Sequence, residues 1–117
     1  MGTVLKNKRV EYSLRLENAL ERIVNHLSKM PEVERVILFG SYAAGRRDLF
    51  TDLDLIVVME SECDFLQRTT ELYGLLESDV DLDLLVYTPQ EFGKMRELGF
   101  LSHALETGEV IYEKKRT

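Results

Sequence analysis

The spacing of hydrophobic positions along the first third of the chain changes at Pro31. Between residues 12 and 29 apolar side chains recur every three to four positions, which is the spacing of an amphipathic helix, and Pro31 ends the pattern. Residues 33–39 then close with four consecutive apolar side chains before Gly40, which predicts a strand buried on both faces. A short helix is predicted to begin at Ser41. The apolar positions of the first helix are Leu16, Leu20, Ile23, Val24 and Leu27.

The remaining strands are predicted by apolar runs in the second half of the chain. Residues 52–59 alternate between acidic and apolar side chains and then become fully apolar. Residues 80–87 form a further strand of the same kind. After Gly108, which ends the last helix, residues 109–112 predict a short edge strand. Strands therefore alternate with helices along the chain.

Capping residues indicate where the intervening helices begin. Asp64 and Gln67 match a capping box, which predicts a helix that runs to about residue 77. Residues 88–91, Thr-Pro-Gln-Glu, place a capping hydroxyl, a proline and a glutamate in the order of a helix start. That helix is predicted to bend or restart at Gly99.

Composition narrows the classes of function. The chain has 117 residues, 44% of them hydrophobic, which is enough for one compact core, so we expect a single domain over 1–117. The net charge of −6 argues against broad contact with nucleic acid or an anionic membrane, so a small anionic ligand would need a local cation. No apolar run reaches the ~18 to 20 residues that span a bilayer, and we expect a cytoplasmic protein. Cys63 is the only cysteine, which excludes an intramolecular disulfide.

The sequence Asp-Leu-Asp-Leu occurs twice on predicted strands, at 52–55 and at 81–84. Because side chains alternate across a strand, Asp52 and Asp54 point to one face. Two such charges ~4 Å apart repel by about 4 kcal/mol at an effective dielectric of 20. A divalent cation compensates them directly, and Mg²⁺ favours a few carboxylates with phosphate oxygens and water. The structural alternative is a solvated pair at a strand end.

A glycine and a serine stand where the first buried strand turns into the short helix. Gly40 lets the backbone approach a ligand, while the Ser41 hydroxyl and the free amides of the helix start can hold phosphate oxygens. This dipeptide also makes ordinary turns. Next to the acidic pair, however, it predicts a phosphate site beside a metal site.

The complete string is more specific than its parts. Residues 40–45 are Gly-Ser-Tyr-Ala-Ala-Gly, and residues 51–55, Thr-Asp-Leu-Asp-Leu, lead into an apolar strand. This combination resembles the signature of the polymerase-β-like nucleotidyltransferases, strongly over 33–59 and more loosely as far as Tyr112. By its length the chain is similar to the minimal nucleotidyltransferases of that superfamily. The resemblance implies an α/β (α+β) nucleotidyltransferase-like fold, with a mixed β-sheet of three to five strands flanked by helices.

The resemblance also implies a set of catalytic acids. Asp52 and Asp54 would hold two Mg²⁺ ions, together with a third acid on a neighbouring strand. Asp83 matches the place of that acid, and it would also accept the proton of the attacking hydroxyl. Asp81 lies on the same predicted face and could substitute for Asp83 or assist it.

The phosphate-binding residues implied by the resemblance are Gly40 and Ser41. Many relatives carry an arginine where Ala44 stands, so a phosphate-facing guanidinium would have to come from Arg46 or Arg47. We assign this role to Arg46, with a solvated surface charge as the alternative for both arginines.

Minimal nucleotidyltransferases are often encoded beside a helical HEPN-type protein. The resemblance therefore implies transfer of AMP from ATP to a hydroxyl of such a partner, in an antitoxin-like role. Two alternatives stay open: nucleotidyl transfer to RNA, which the absence of a basic stripe disfavours, and a binding module that neutralises its partner without catalysis.

Overall fold

The structure is a computed structural model that describes residues 2–115. Met1, Arg116 and Thr117, which belong to the predicted 1–117 domain, lie outside the described range. Helices and strands alternate along most of the chain, as the sequence predicts. The elements are α1 (Gly2–Ser28), β1 (Val33–Phe39), α2 (Gly40–Ala43), β2 (Leu53–Met59), α3 (Phe65–Leu76), β3 (Leu82–Tyr87), α4 (Pro89–Met95), α5 (Gly99–Thr107) and β4 (Glu109–Glu113).

The four strands form one mixed sheet in the order β3-β2-β1-β4. β1 runs antiparallel to both β2 and β4, while β2 and β3 are parallel, joined by the α3 crossover. The predicted mixed sheet flanked by helices is confirmed. Among the described residues, no helix is long and apolar enough to cross a bilayer.

Helices cover both faces of the sheet and form two apolar clusters. The larger cluster joins α1 and α3 to one face, where Leu53 and Leu55 of β2 are fully buried. The smaller cluster joins α4 and α5 to the other face, where Ile56 and Val58 are buried. Because side chains alternate along β2, Asp54 belongs to the α4/α5 face.

One helix boundary and one capping motif differ from the prediction. α1 begins at Gly2 rather than at residue 12, and residues 3–11 of this extension are exposed. A segment with no buried face has no apolar period for the sequence to reveal. At α3, Asp64 caps the helix by accepting from the Gln67 amide (2.8 Å), but the Gln67 side chain donates to Glu71, so only half of the predicted capping box forms.

The helix start at residues 88–91 forms as predicted. The Thr88 hydroxyl accepts from the Glu91 amide at 3.2 Å, and the Glu91 carboxylate accepts from the Thr88 amide at 2.9 Å. The predicted restart at Gly99 is also confirmed, because α4 and α5 are separate helices.

α3 closes the free edge of β3, which carries one of the acids. The Tyr73 hydroxyl accepts from the Leu84 amide at 2.8 Å, and the Arg68 Nε donates to the Val86 carbonyl oxygen at 3.0 Å. Arg68 is buried, and its guanidinium also pairs with Glu91. These bonds satisfy groups on an edge strand and fix β3 beside β2.

Candidate active site

Three acids lie at one end of the sheet. They are on the same face as α4 and α5, which pack on the rest of that face. Asp52 precedes β2, Asp54 is its second residue, and Asp83 is the second residue of β3. The parallel register places Asp54 directly beside Asp83, and their carboxyl groups share a hydrogen bond. Asp52 and Asp54 are half-buried, whereas Asp83 is exposed. The structure therefore brings together the three acids named from the sequence.

Burial, together with electrostatic repulsion, raises the pKa of two carboxyl groups at this site. The pKa of Asp54 rises to about 6, first because burial disfavours its charge, and then because of the hydrogen bond and charge of Asp83 and the charge of Asp52. Burial also raises the pKa of Asp52, with Asp81 and Asp83 adding repulsion and Arg46 acting in the opposite direction.

These carboxylates suit a cation that arrives with a phosphate ligand. Within residues 2–115, no three acidic, histidine or cysteine side chains are already grouped tightly enough to hold a metal ion. Mg²⁺ does not require such a cage, because it is normally bound by one or two carboxylates, substrate phosphates and water. The Asp54 and Asp83 pair, with Asp52 nearby, matches this donor chemistry.

Gly40 lies against the Asp54 carboxylate. Its φ is +77°, and a Cβ at this position would lie 2.1 Å from Oδ2 of Asp54 and 2.9 Å from its Cγ. The sequence predicted close approach of the backbone to a ligand. The structure shows that the group in close approach is Asp54, so only glycine allows this carboxylate its position.

Ser41 follows this glycine at the start of α2 and is half-buried. Its carbonyl oxygen accepts from the Arg46 amide at 2.9 Å, which closes the turn after α2. In the part of the chain that the structure describes, its hydroxyl has no hydrogen-bond partner. The hydroxyl is therefore free to bind a ligand beside Asp54.

The two candidate arginines have different surroundings. Arg46 is exposed and its Nε donates to Oδ2 of Asp48 at 2.6 Å, a contact that raises its pKa. Arg47 stacks on the Tyr42 ring, with 3.5 Å between its Cζ and the ring centroid, and donates to the Tyr42 carbonyl oxygen at 2.8 Å. Because an exposed ion pair contributes little to stability, Arg46 can turn to a phosphate more easily than Arg47.

A tight turn leads from these arginines to Asp52. The Asp48 carboxylate accepts from the Phe50 amide at 2.9 Å, while the fully buried Thr51 hydroxyl accepts from the Asp48 amide at 3.0 Å. The Tyr12 hydroxyl of α1 donates to the Thr51 carbonyl oxygen at 2.8 Å. Tyr12 was not selected from the sequence; its only signal is a phenol four residues before the core position Leu16.

A cleft of about 680 Å³ opens at the opposite end of the sheet, between Pro31, Arg35 and Phe92. Its lining shares no residue with the acid cluster. The acids instead lie beside the turn at Gly40, and the exposed Asp83 is accessible to a second macromolecule.

Comparison with known proteins decides the family. The profile described as polymerase β nucleotidyltransferase matches residues 21–117. The chain belongs to this nucleotidyltransferase family. A candidate protein adenylyltransferase of Methanocaldococcus jannaschii is 31% identical over 99 residues, which cover 82% of this chain and 97% of the relative. The resemblance drawn from the string at 40–55 is therefore confirmed, and so is the expectation of an enzyme.

Comparison with solved structures tests the fold. A candidate nucleotidyltransferase from Sulfolobus solfataricus superposes with a TM-score of 0.63 at 19% identity, covering 91% of this chain and 87% of that one. A toxin–antitoxin crystal structure with AMP-PNP is more distant, with a TM-score of 0.49 at 22% identity over 85% of this chain and 74% of that one. The first comparison confirms the nucleotidyltransferase-like fold.

The contact of Tyr12 with the residue before Asp52 leads to a prediction for this nucleotidyltransferase. Tyr12→Phe removes only the hydroxyl that holds the Thr51 carbonyl group. We expect the free energy of unfolding to fall by about 1 kcal/mol and nucleotidyl transfer to slow by roughly tenfold, because misplaced catalytic groups lose alignment. Thermal melting and initial transfer rates measure the two effects.

Tyr112→Phe is the matched control, because the Tyr112 hydroxyl donates to the Ser28 carbonyl oxygen (3.4 Å) away from the acids. It should leave the transfer rate unchanged. If Tyr12→Phe also left the rate unchanged while the melting temperature fell, the Tyr12 bond would be structural only.

Proposed function

We propose that this nucleotidyltransferase transfers AMP from ATP to a hydroxyl of a helical, HEPN-type partner protein, in an antitoxin-like role in the cytoplasm. The observation that carries the proposal is the Asp54 and Asp83 pair, in register on neighbouring parallel strands, with Asp54 lying against the Gly40 turn. The relative from Methanocaldococcus jannaschii, matched over nearly its whole length, carries the name of a protein adenylyltransferase. This supports a protein as the acceptor.

In the proposed site, Asp52, Asp54 and Asp83 would hold two Mg²⁺ ions. Bound Mg²⁺ would neutralise charge on the phosphates and lower the pKa of the attacking hydroxyl. The Ser41 hydroxyl binds phosphate oxygens beside Asp54. Arg46 exchanges its exposed pair with Asp48 for a phosphate group. The chain's own contribution is thus to position charge before the reaction begins.

The reaction is an in-line displacement at the α-phosphorus. The acceptor oxygen forms a bond to this phosphorus, the bond to the bridging oxygen of the β-phosphate breaks, and pyrophosphate leaves. Asp83 takes the proton of the acceptor hydroxyl. It is the most exposed of the three acids, so an acceptor on another protein can reach it.

The charge of the chain favours a protein acceptor over RNA. The net charge is −6, and nucleic acid binding depends on neutralising phosphates with lysine and arginine. An acidic surface repels RNA but does not exclude a protein hydroxyl. The competing function is a binding module that neutralises its partner without catalysis. The experiment below separates this function from nucleotidyl transfer.

ATP labelled at either the α- or the γ-phosphate tests directly whether the enzyme transfers a nucleotidyl group. We expect label from α-³²P-ATP with Mg²⁺ to appear on a tyrosine or other hydroxyl of the proposed HEPN-type partner protein. Label from γ-³²P-ATP should stay in pyrophosphate, because attack at the α-phosphorus releases the β- and γ-phosphates together. Gel autoradiography and mass spectrometry of the partner measure the transfer.

Asp83→Asn is the control, because it keeps the size of the side chain and removes the proton acceptor. It should form the complex without transferring label. If the wild-type complex formed tightly with no α-label transfer, and Asp83→Asn still neutralised the partner, a non-catalytic binding module would replace the proposed function. Label on RNA but not on protein would instead identify RNA as the acceptor.

A further inference from the structure

Two aromatic rings lie beside the acid pair. Phe39 is the last residue of β1, and the antiparallel register pairs it with Asp54 of β2. Its side chain packs with the apolar cluster under α4 and α5, so it shares the sheet face of Asp54. Phe100, the second residue of α5, meets Phe39 edge-to-face, with ring centroids 5.7 Å apart at an angle of 84°. We call Phe39 and Phe100 the aromatic pair.

Phe100 is not needed to anchor α5. The helix is held by Leu101 and Ala104, which are buried in the apolar cluster, whereas Phe100 is 60% exposed. The edge-to-face contact with Phe39 nevertheless fixes its ring, since such pairs are favoured by about 0.5 to 1.5 kcal/mol beyond their buried area. Phe100 thus presents a pre-oriented aromatic surface to solvent next to the acids.

We propose that Phe100 stacks on the base of the nucleoside triphosphate and makes the enzyme select purines. The inference rests on the proposed function and adds to it a residue that selects the nucleotide. Phe39 immediately precedes Gly40 and Ser41, so one member of the aromatic pair is joined directly to the phosphate end of the site. The other member lies on α5, which contacts α2. A nucleotide with its phosphates at that turn has its base within reach of Phe100.

The chemistry of this surface defines what it can select. A phenyl ring offers carbon surface and no hydrogen-bonding group, so it recognises the area of a base rather than its edge. A purine overlaps the ring more than a pyrimidine does. The aromatic pair therefore favours ATP and GTP over CTP and UTP.

Phe50 provides a matched control. It is 82% exposed on the turn that leads to the acids, two residues before Asp52. Within residues 2–115 its ring meets no other aromatic ring and belongs to neither apolar cluster. Phe50 lacks the support that orients Phe100, and Phe50→Ala should leave nucleotide affinity unchanged.

Calorimetric titration with three ligands tests the inference: MgATP, MgCTP and Mg-tripolyphosphate, which has the phosphates but no base. In Phe100→Ala we expect the affinity for MgATP to fall about tenfold and the preference for ATP over CTP to approach one, as for the loss of one base-stacking contact. The affinity for Mg-tripolyphosphate should not change. Phe100→Leu, which keeps apolar bulk on α5, should show the same direction of change and guards against a folding defect.

Three results would overturn the inference: an unchanged ratio of ATP to tripolyphosphate affinity in Phe100→Ala, an equal loss of affinity for ATP and for CTP in that variant, or a loss of ATP affinity in Phe50→Ala instead. Failure of the proposed function would look different. In that case wild-type protein would bind neither Mg-tripolyphosphate nor MgATP, or it would bind both with the expected Phe100 effect and still transfer no α-label.

Discussion

Asp54→Asn is expected to abolish nucleotidyl transfer and, at the same time, to stabilise the cation-free protein at pH 7. Removing a carboxylate from the proposed metal site removes several kcal/mol of charge stabilisation, so we expect transfer to fall by about 10³-fold or more. The fold should persist because asparagine has nearly the same shape and can donate a hydrogen bond to Asp83. Initial rates of α-label transfer measure the loss of activity.

The stabilisation follows from the raised pKa of Asp54. Its pKa is about 6 in the folded protein, against an ordinary value of 3.8, so the folded state holds this proton more tightly than the unfolded state. The free energy of unfolding therefore falls as the pH rises from about 4 to 6. The shift corresponds to at most about 3 kcal/mol, which screening at a half-buried site reduces to about 1 to 2 kcal/mol.

In Asp54→Asn this fall between pH 4 and 6 should disappear, which denaturant titration at several pH values would detect. Asp64→Asn is the control, because Asp64 caps α3 away from the site and an asparagine oxygen can still accept from the Gln67 amide. It should keep both the activity and the pH profile of the wild type. Unfolding of Asp54→Asn, or full activity, would show that Asp54 has a structural role instead.

Much of the fold was predictable because its signals are local. The strands at 33–39 and 52–59 were visible as apolar runs, and the start of α4 was visible in the four residues 88–91. The order of the strands was not, because pairing of β4 with β1 joins residues far apart in sequence. The first part of α1 was missed because an exposed helical segment carries no apolar period.

The candidate site also contains features that the local sequence predicts and features that depend on the tertiary structure. Alternation along β2 placed Asp52 and Asp54 on one face without any knowledge of the fold. The contact between Asp54 and Asp83 depends on the exact parallel register, in which a slip of one residue turns every side chain to the other face. Tyr12 was missed because its partner, Thr51, lies 39 residues away and contributes a backbone carbonyl group, which the sequence does not mark.

Gly40→Ala is expected to reduce nucleotidyl transfer about 10²-fold or more, although it adds a single methyl group at a position with no catalytic side chain. The new Cβ would lie 2.1 Å from Oδ2, 2.9 Å from Cγ and 3.2 Å from Cβ of Asp54, so the whole aspartate side chain must move. Displacement of a catalytic group by about 1 Å costs rates of this order. Transfer assays under saturating ATP and Mg²⁺ measure the effect.

Backbone strain accompanies this clash and has to be separated from it. An alanine at a φ of +77° costs about 1 to 2 kcal/mol of stability whatever lies nearby. Gly45→Ala isolates that cost, because Gly45 has a φ of +96° but nothing within 4 Å of the added Cβ. We expect both variants to lose stability and only Gly40→Ala to lose activity, because only there does the methyl group meet Asp54. Equal loss of activity in both would assign the effect to strain in the turn rather than to the position of the Asp54 carboxylate.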